Sequence, residues 1–215
     1  MRQHVLRHKE KIIEENRQYL AEDPKEKRGL WHSLFDKRYA KSPLYIEIGS
    51  GKGLFITAMA KAHPENVYLA CEGAVNVYPR ILQKAGAMEL LNLKLISEYI
   101  IDPAVYFEYG ELAGVYLNFS DPWPKDRHAN RRLTHVSKLL SYKKIMAPGA
   151  TLEFKTDNDA LFDFSLEQAE LAGLQPDRVI RDLHASDLAD SNIETEYEQK
   201  FAAQGKNINY LRIVF

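Results

Sequence analysis

The sequence predicts an α/β fold: a doubly wound, mostly parallel sheet with helices on both faces. Three observations predict it. From Leu44 onward, short apolar runs alternate with segments of helical periodicity. The first run leads directly into Gly49-Ser50-Gly51-Lys52-Gly53, a glycine-rich strand-to-helix turn. Acids stand at the ends of two later runs, Glu72 and Asp121, where ligands of such sheets bind.

The elements come in chain order. Residues 1–41 are polar and charged and read as an N-terminal helical extension lying on one domain, 42–215. Within it, residues 5–20 have helical character, and Pro24 interrupts the segment beyond them. The run Leu44–Ile48 is a buried strand, and the helix LFITAMAKAH after the glycine turn stops at Pro64. A second strand is Val67–Cys71. Pro79 suits a first helical turn, with Ile81, Ala85 and Met88 at helical spacing behind it. Strands three and four are Leu93–Ile96 and residues 115–119. Val136, Leu139 and Leu140 mark a helix that Pro148-Gly149 closes. Residues 151–155 are a fifth strand. Phe162, Leu166 and Ala169 mark a helix ending at Gly173, and residues 209–215 are a last strand.

Composition narrows the class. A chain of 215 residues with 45% hydrophobic and 27% charged residues buries a real core. Its net charge of −1 means that any nucleic-acid contact must come from segregated charge. A single cysteine, Cys71, excludes an internal disulfide and a cysteine-built zinc site, and it reads as a packed, inert thiol. His4 and His8 stand at i,i+4 spacing without a carboxylate or cysteine partner, so no metal site is expected. No apolar run is long enough to span a bilayer, and MRQHVLRHKEK lacks a signal-peptide core; a cytoplasmic protein is expected.

The glycine turn raises the question of a ligand. Glycines let a ligand approach the backbone closely, and an acid 19 residues after Gly53, Glu72, can accept hydrogen bonds from both hydroxyls of a ribose. Two cofactors fit. A dinucleotide wants the G-x-G-x-x-G spacing and a pyrophosphate, which Glu47 on the preceding strand would repel. The tighter G-x-G-x-G spacing here, with Glu47 beside it, favours the cationic S-adenosylmethionine. The plain alternative is a tight turn with no ligand.

The stretch 116–133, YLNFSDPWPKDRHANRRL, carries a second signal. Two prolines stiffen the segment after Asp121 and stop it from continuing the sheet. A stiff acid there suits positioning of a base at the reactive end of the cofactor. Trp123 can pack on a purine ring, though packing in the core is the plainer reading. Residues 125–144 hold seven Lys or Arg and one acid, Asp126. Beginning at a reaction centre, this run favours phosphate contacts over a merely solvated face. Residues 182–198 hold six acids and no Lys or Arg, so the near-neutral chain has two poles.

The segments EIGSGKG, YLNFSDPWPK, RHANRRL, FKTDN, SLEQ, DLHASD and TEYEQKF occur in this order. In them the chain resembles the bacterial tRNA (guanine-N7-)-methyltransferase family, from about Leu44 to the C-terminus. The resemblance implies a seven-stranded class I methyltransferase domain of Rossmann-like fold, S-adenosylmethionine as methyl donor, and a guanine of the tRNA variable loop as substrate. It implies cofactor contacts from Glu47, Gly49, Gly51, Glu72 and Asp121, with Asp121 catalytic. It further implies substrate contacts from Lys125, Asp157 and the segment Thr195, Glu196, Tyr197 and Glu198. RNA phosphates would meet Arg127, His128, Arg131 and Arg132.

Two positions depart from the family pattern. Tyr99 stands where the family has an acid near the adenine; it can stack or donate a hydroxyl, and Glu98 is the alternative contact. Gly73-Ala74 stands where the family often has a bulky or basic residue, which predicts a more open wall. The implied chemistry needs little from the protein, because guanine N7 carries an in-plane lone pair and no proton. Positioning, water exclusion and carboxylates near the developing positive charge suffice. Asp157 can accept hydrogen bonds from the guanine edge or cap the following helix, and Tyr197 and Phe201 can anchor the acidic tail. The competing functions are an NAD-dependent oxidoreductase and a non-catalytic RNA-binding module.

Overall fold

The computed structural model describes residues 8–215. Seven strands form one sheet in the order β3-β2-β1-β4-β5-β7-β6. They are β1 (Leu44–Ile48), β2 (Val67–Cys71), β3 (Leu93–Ile96), β4 (Leu112–Asn118), β5 (Met146–Thr156), β6 (Pro176–Ile180) and β7 (Asn209–Val214). The first five pair in parallel, and β7 runs antiparallel to both β5 and β6. The helices are α1 (Lys9–Glu15), α2 (Leu54–Ala62), α3 (Pro79–Ala87), α4 (Val136–Lys143), α5 (Asp159–Leu171) and α6 (Glu196–Ala202).

The period-two alternation of β2 shows why both faces are covered. Val67, Leu69 and Cys71 pack into a cluster with Leu139 of α4 and Phe162 of α5. Tyr68 and Ala70 pack into the opposite cluster with Ile56 of α2 and Leu82 of α3. All five residues of β2 are buried, as a strand covered on both faces requires.

Residues 8–41 add to this core. Ala21 N–H donates to Leu95 O at 2.8 Å, continuing the β3 edge of the sheet. Trp31 is fully buried, stacks on Phe107 at 5.3 Å and donates from Nε1 to Tyr106 O at 2.9 Å. The helix expected over 5–20 is the shorter α1 followed by a 3₁₀ turn at Arg17–Tyr19; residues 5–7 and His4 lie outside the described residues. His8 precedes α1 in a left-handed conformation.

Several elements differ from the sequence reading; β4 and β5 begin earlier, at Leu112 and Met146. Pro148-Gly149 does not close α4, which ends at Lys143; it sits inside β5, where the register to β4 shifts. Gly149, at φ 79°, donates to Phe215 O at 2.7 Å, so a bulge replaces the expected helix stop. Phe119 lies just beyond β4, with φ 50°. The sequence reading missed β6, because Pro176-Asp177-Arg178 carries no apolar alternation.

Candidate active site

Sheet order brings the ends of β2, β1 and β4 side by side, and with them Glu72, the glycine turn and Asp121. The turn is fastened to β2. Gly49 N–H and Ser50 N–H donate to Cys71 O at 2.8 and 2.9 Å, and Ser50 Oγ accepts from Cys71 N–H at 3.1 Å. Gly49 and Gly51 have φ of 83° and 54°, and a Cβ on either would meet nothing within 4 Å. Their left-handed backbone requires glycine, and the space above them is open. Gly53 is different: a Cβ there would run into Ile81 at 2.9 Å.

Two carboxylates flank the turn. Glu72 accepts from Gly51 N–H at 3.0 Å and from Ala74 N–H at 2.9 Å. Burial raises its pKa, the backbone amides oppose this, and the charge of Asp121 adds to the rise. Glu47 is buried at 2% exposure. Its Oε1 accepts from Asn118 Nδ2 at 2.8 Å, while Oε2 has no partner among the described residues. Burial pushes its carboxyl up to about 7. Such an orphaned oxygen is costly, and a cationic ligand at the cleft would satisfy it. The residues present therefore fit S-adenosylmethionine: a buried acid for its cationic end, an acid for its ribose, and an open glycine turn between. Asn118 escaped the sequence reading, although a polar residue closing the apolar strand beside Glu47 was the available signal.

The two departures from the family pattern, Gly73 and Tyr99, belong together. A Cβ on Gly73 would meet the Tyr99 ring at 2.4 Å. Tyr99 thus fills the space a side chain at 73 would take, and the wall is not simply open. Glu98 is engaged elsewhere, accepting from Tyr106 Oη at 2.7 Å and pairing with Lys25 at 3.5 Å. Cys71 is buried, and burial pushes its thiol up to about 12, which keeps it inert.

Beyond β4, Asp121 is exposed and Trp123 is half-buried with φ 41°. Trp123 is not a core residue: Arg131 lies over its ring at 4.8 Å and His128 meets its edge at 5.7 Å. Arg132, expected at a phosphate, is engaged within the protein. Its Nε donates to Pro122 O and its Nη2 to Trp123 O, both at 3.0 Å, and its guanidinium covers Phe164 at 4.2 Å. Lys125 and Arg127 are exposed, with no side-chain hydrogen bond or ion pair among the described residues.

The TEYE segment divides in two. Thr195 and Glu198 are buried and form the capping box of α6. Glu198 pairs with Lys155 at 3.2 Å and accepts from His184 Nε2 at 2.8 Å and Asn192 Nδ2 at 2.5 Å. Glu198 is fully buried and occupied, so it holds α6 to β5 and does not present itself to a substrate. Glu196 pairs with Lys84 at 2.9 Å. Tyr197 is exposed and stacks on Phe119 at 6.3 Å. Asp157 is not the cap of α5: Asn158 is, accepting from Leu161 N–H at 2.8 Å. Asp157 pairs instead with Lys206 at 2.6 Å, at the edge of an open cleft of about 560 Å³.

A parallel sheet with an antiparallel β7, a glycine turn after β1, and acids at or just beyond the ends of β1, β2 and β4 define a class I methyltransferase. A family model described as "Putative methyltransferase" matches residues 41–211. Two tRNA (guanine-N(7)-)-methyltransferases align over nearly the whole chain. That of Lactiplantibacillus plantarum is 47% identical, covering 91% of this chain and 90% of its own. That of Latilactobacillus sakei is 45% identical, covering 92% and 91%. The chain belongs to the tRNA (guanine-N7-)-methyltransferase family. The fold agrees with the solved 16S rRNA methyltransferase KamB, at a TM-score of 0.62 and 12% identity over 84% of this chain and 94% of that one. It agrees also with the 16S rRNA (adenine(1408)-N(1))-methyltransferase of Catenulisporales acidiphilia, at a TM-score of 0.58 and 19% identity over 90% and 94%. No helix among the described residues is long and apolar enough to cross a membrane.

Proposed function

We propose that the protein transfers a methyl group from S-adenosylmethionine to N7 of a guanine in the variable loop of tRNA, giving 7-methylguanosine. Identity of 45 to 47% to tRNA (guanine-N(7)-)-methyltransferases along nine-tenths of both chains carries this reading. The unpartnered Glu47 oxygen supports a cationic donor in place of a dinucleotide, and the acids ending three strands argue against a module that only binds RNA.

When bound, S-adenosylmethionine supplies an electrophilic methyl group on a positively charged sulfur. Glu47, steered by Asn118, accepts the ammonium of the donor. Glu72 accepts from the ribose, and Tyr99 on Gly73 walls the adenine. Asp121 stands at the reacting end, where positive charge moves onto the purine and a carboxylate lowers the barrier. No residue needs to remove a proton from N7. Asp157 accepts from the guanine edge once freed from Lys206, and Tyr197 on Phe119 offers a flat apolar surface to the base. Lys125, Arg127 and Arg131 hold the backbone of the RNA by its phosphates.

The reading is tested by incubating the protein with labelled S-adenosylmethionine and unmodified tRNA, then identifying the labelled nucleoside. 7-Methylguanosine is expected. Label in another nucleoside, or none in tRNA, would overturn it.

A further inference from the structure

We infer that Arg132 is a positioning residue of the reaction, a clamp on the Asp121 loop, and not an RNA contact. The inference rests on the methyl-transfer reading for its kinetic arm only.

Three observations carry it. The Arg132 fork donates to two successive carbonyls, Pro122 O and Trp123 O, each at 3.0 Å. Those carbonyls belong to the residues directly following Asp121. The guanidinium also lies 4.2 Å above the Phe164 ring of α5, which ties the loop to a rigid helix of the domain. Finally, the loop needs holding: Trp123 sits at φ 41°, a left-handed conformation that a tryptophan adopts only under constraint. The prolines on either side of Trp123 lack an N–H, so the backbone here has fewer donors for bonds of its own. Arg132 supplies donors from outside.

The chemistry explains why arginine stands here. Its planar fork donates in two fixed directions, and its flat face stacks on an aromatic ring. A lysine carries the same charge on one nitrogen, without the two separated N–H groups of the fork or the flat face that stacks on Phe164. The neighbouring Arg131 differs, since among the described residues its guanidinium makes the ring-facing contact to Trp123 and no side-chain hydrogen bond or ion pair. Two adjacent arginines thus divide the work: one holds the loop, and the other faces outward from it.

The test compares wild type, Arg132→Ala and Arg132→Lys in the full chain. Both variants should lower kcat about ten-fold or more, because displacing a reacting group slightly is costly, while KM for tRNA stays within about two-fold. The salt dependence of tRNA binding should match that of wild type. Trp31 is fully buried, so acrylamide quenching of tryptophan fluorescence reports Trp123, and quenching should rise in both variants. Arg132→Lys keeps the charge and most of the stem, so it serves if the alanine variant fails to fold. A normal kcat with Arg132→Lys would overturn the inference. So would a salt slope reduced by about one with kcat intact, the signature of a lost phosphate contact. If wild type itself transfers no methyl group, the functional reading fails. The quenching arm still decides the clamp, which unchanged quenching in both variants would refute.

Discussion

Glu47, proposed to hold the cationic end of the donor, also bears on the stability of the fold. The folded protein holds its carboxyl near 7 because burial disfavours the charge, whereas an unfolded chain ionises near 4.5. Between those values the folded state binds a proton that the unfolded state does not. Stability contributed at this site is therefore greatest below about 4.5 and falls as pH rises to about 7. Glu47→Gln should recover up to roughly 3 kcal/mol at pH 8 and almost nothing at pH 4, read as the difference from wild type in urea unfolding. A cationic ligand reverses the sign, since it favours the ionised carboxylate. Affinity for S-adenosylmethionine should rise with pH through about 7 in wild type and stay flat and weaker in the variant, by calorimetry. A flat wild-type profile would place the donor's cation elsewhere. Asp121, proposed to act at the reacting end, is the contrasting case in being exposed. Asp121→Ala should cut turnover at least about a hundred-fold while leaving thermal stability and tRNA affinity near wild type. Near-normal turnover would remove it from the mechanism.

At the scale of elements, the strands and helices around the cleft were legible because their apolar spacing states their burial. The glycine turn and the acids at strand ends announced a site because such residues rarely end a core strand without cause. The features that stayed hidden depend on partners far away in the chain. Glu198 reads as a substrate acid beside Tyr197, yet Lys155, 43 residues earlier, draws it into the core. Arg132 reads as one cation of a basic run until the carbonyls of Pro122 and Trp123 are seen beside it. Gly73 and Tyr99 read as two separate departures, although one ring explains both. The Lys155–Glu198 pair holds α6 and the exposed Tyr197 against β5. Lys155→Met leaves Glu198 buried without its cation, and a single broken partner of this kind costs about 3–5 kcal/mol. Adding Glu198→Leu should restore only the part due to the uncompensated charge, because leucine also removes the capping-box bond and the acceptor of His184 and Asn192. A urea-unfolding cycle checks it, and additive losses from the two substitutions would show that the pair is not coupled.

Across the whole molecule, a net charge of −1 conceals separated poles. In the acidic segment 182–198, Glu198 is buried on Lys155 and His184, while Glu196 and Asp187 pair with Lys84 and Arg178 nearer the surface. The basic loop keeps Lys125, Arg127 and Arg131 on the outside, where a polyanion can reach them. Arg127→Ala with Arg131→Ala should lower the salt slope of tRNA binding by about one per lost contact or slightly less, with donor affinity unchanged. Parallel salt dependences would return the loop to a solvated face. The central claim is narrower than tRNA binding: the methyl group goes to N7 of one guanine. It is tested most directly with tRNA carrying 7-deazaguanine at the variable-loop guanine, where a C–H replaces the nitrogen lone pair. That tRNA should bind as tightly as the unmodified one and accept no labelled methyl group. Equal methyl incorporation into both would contradict the account.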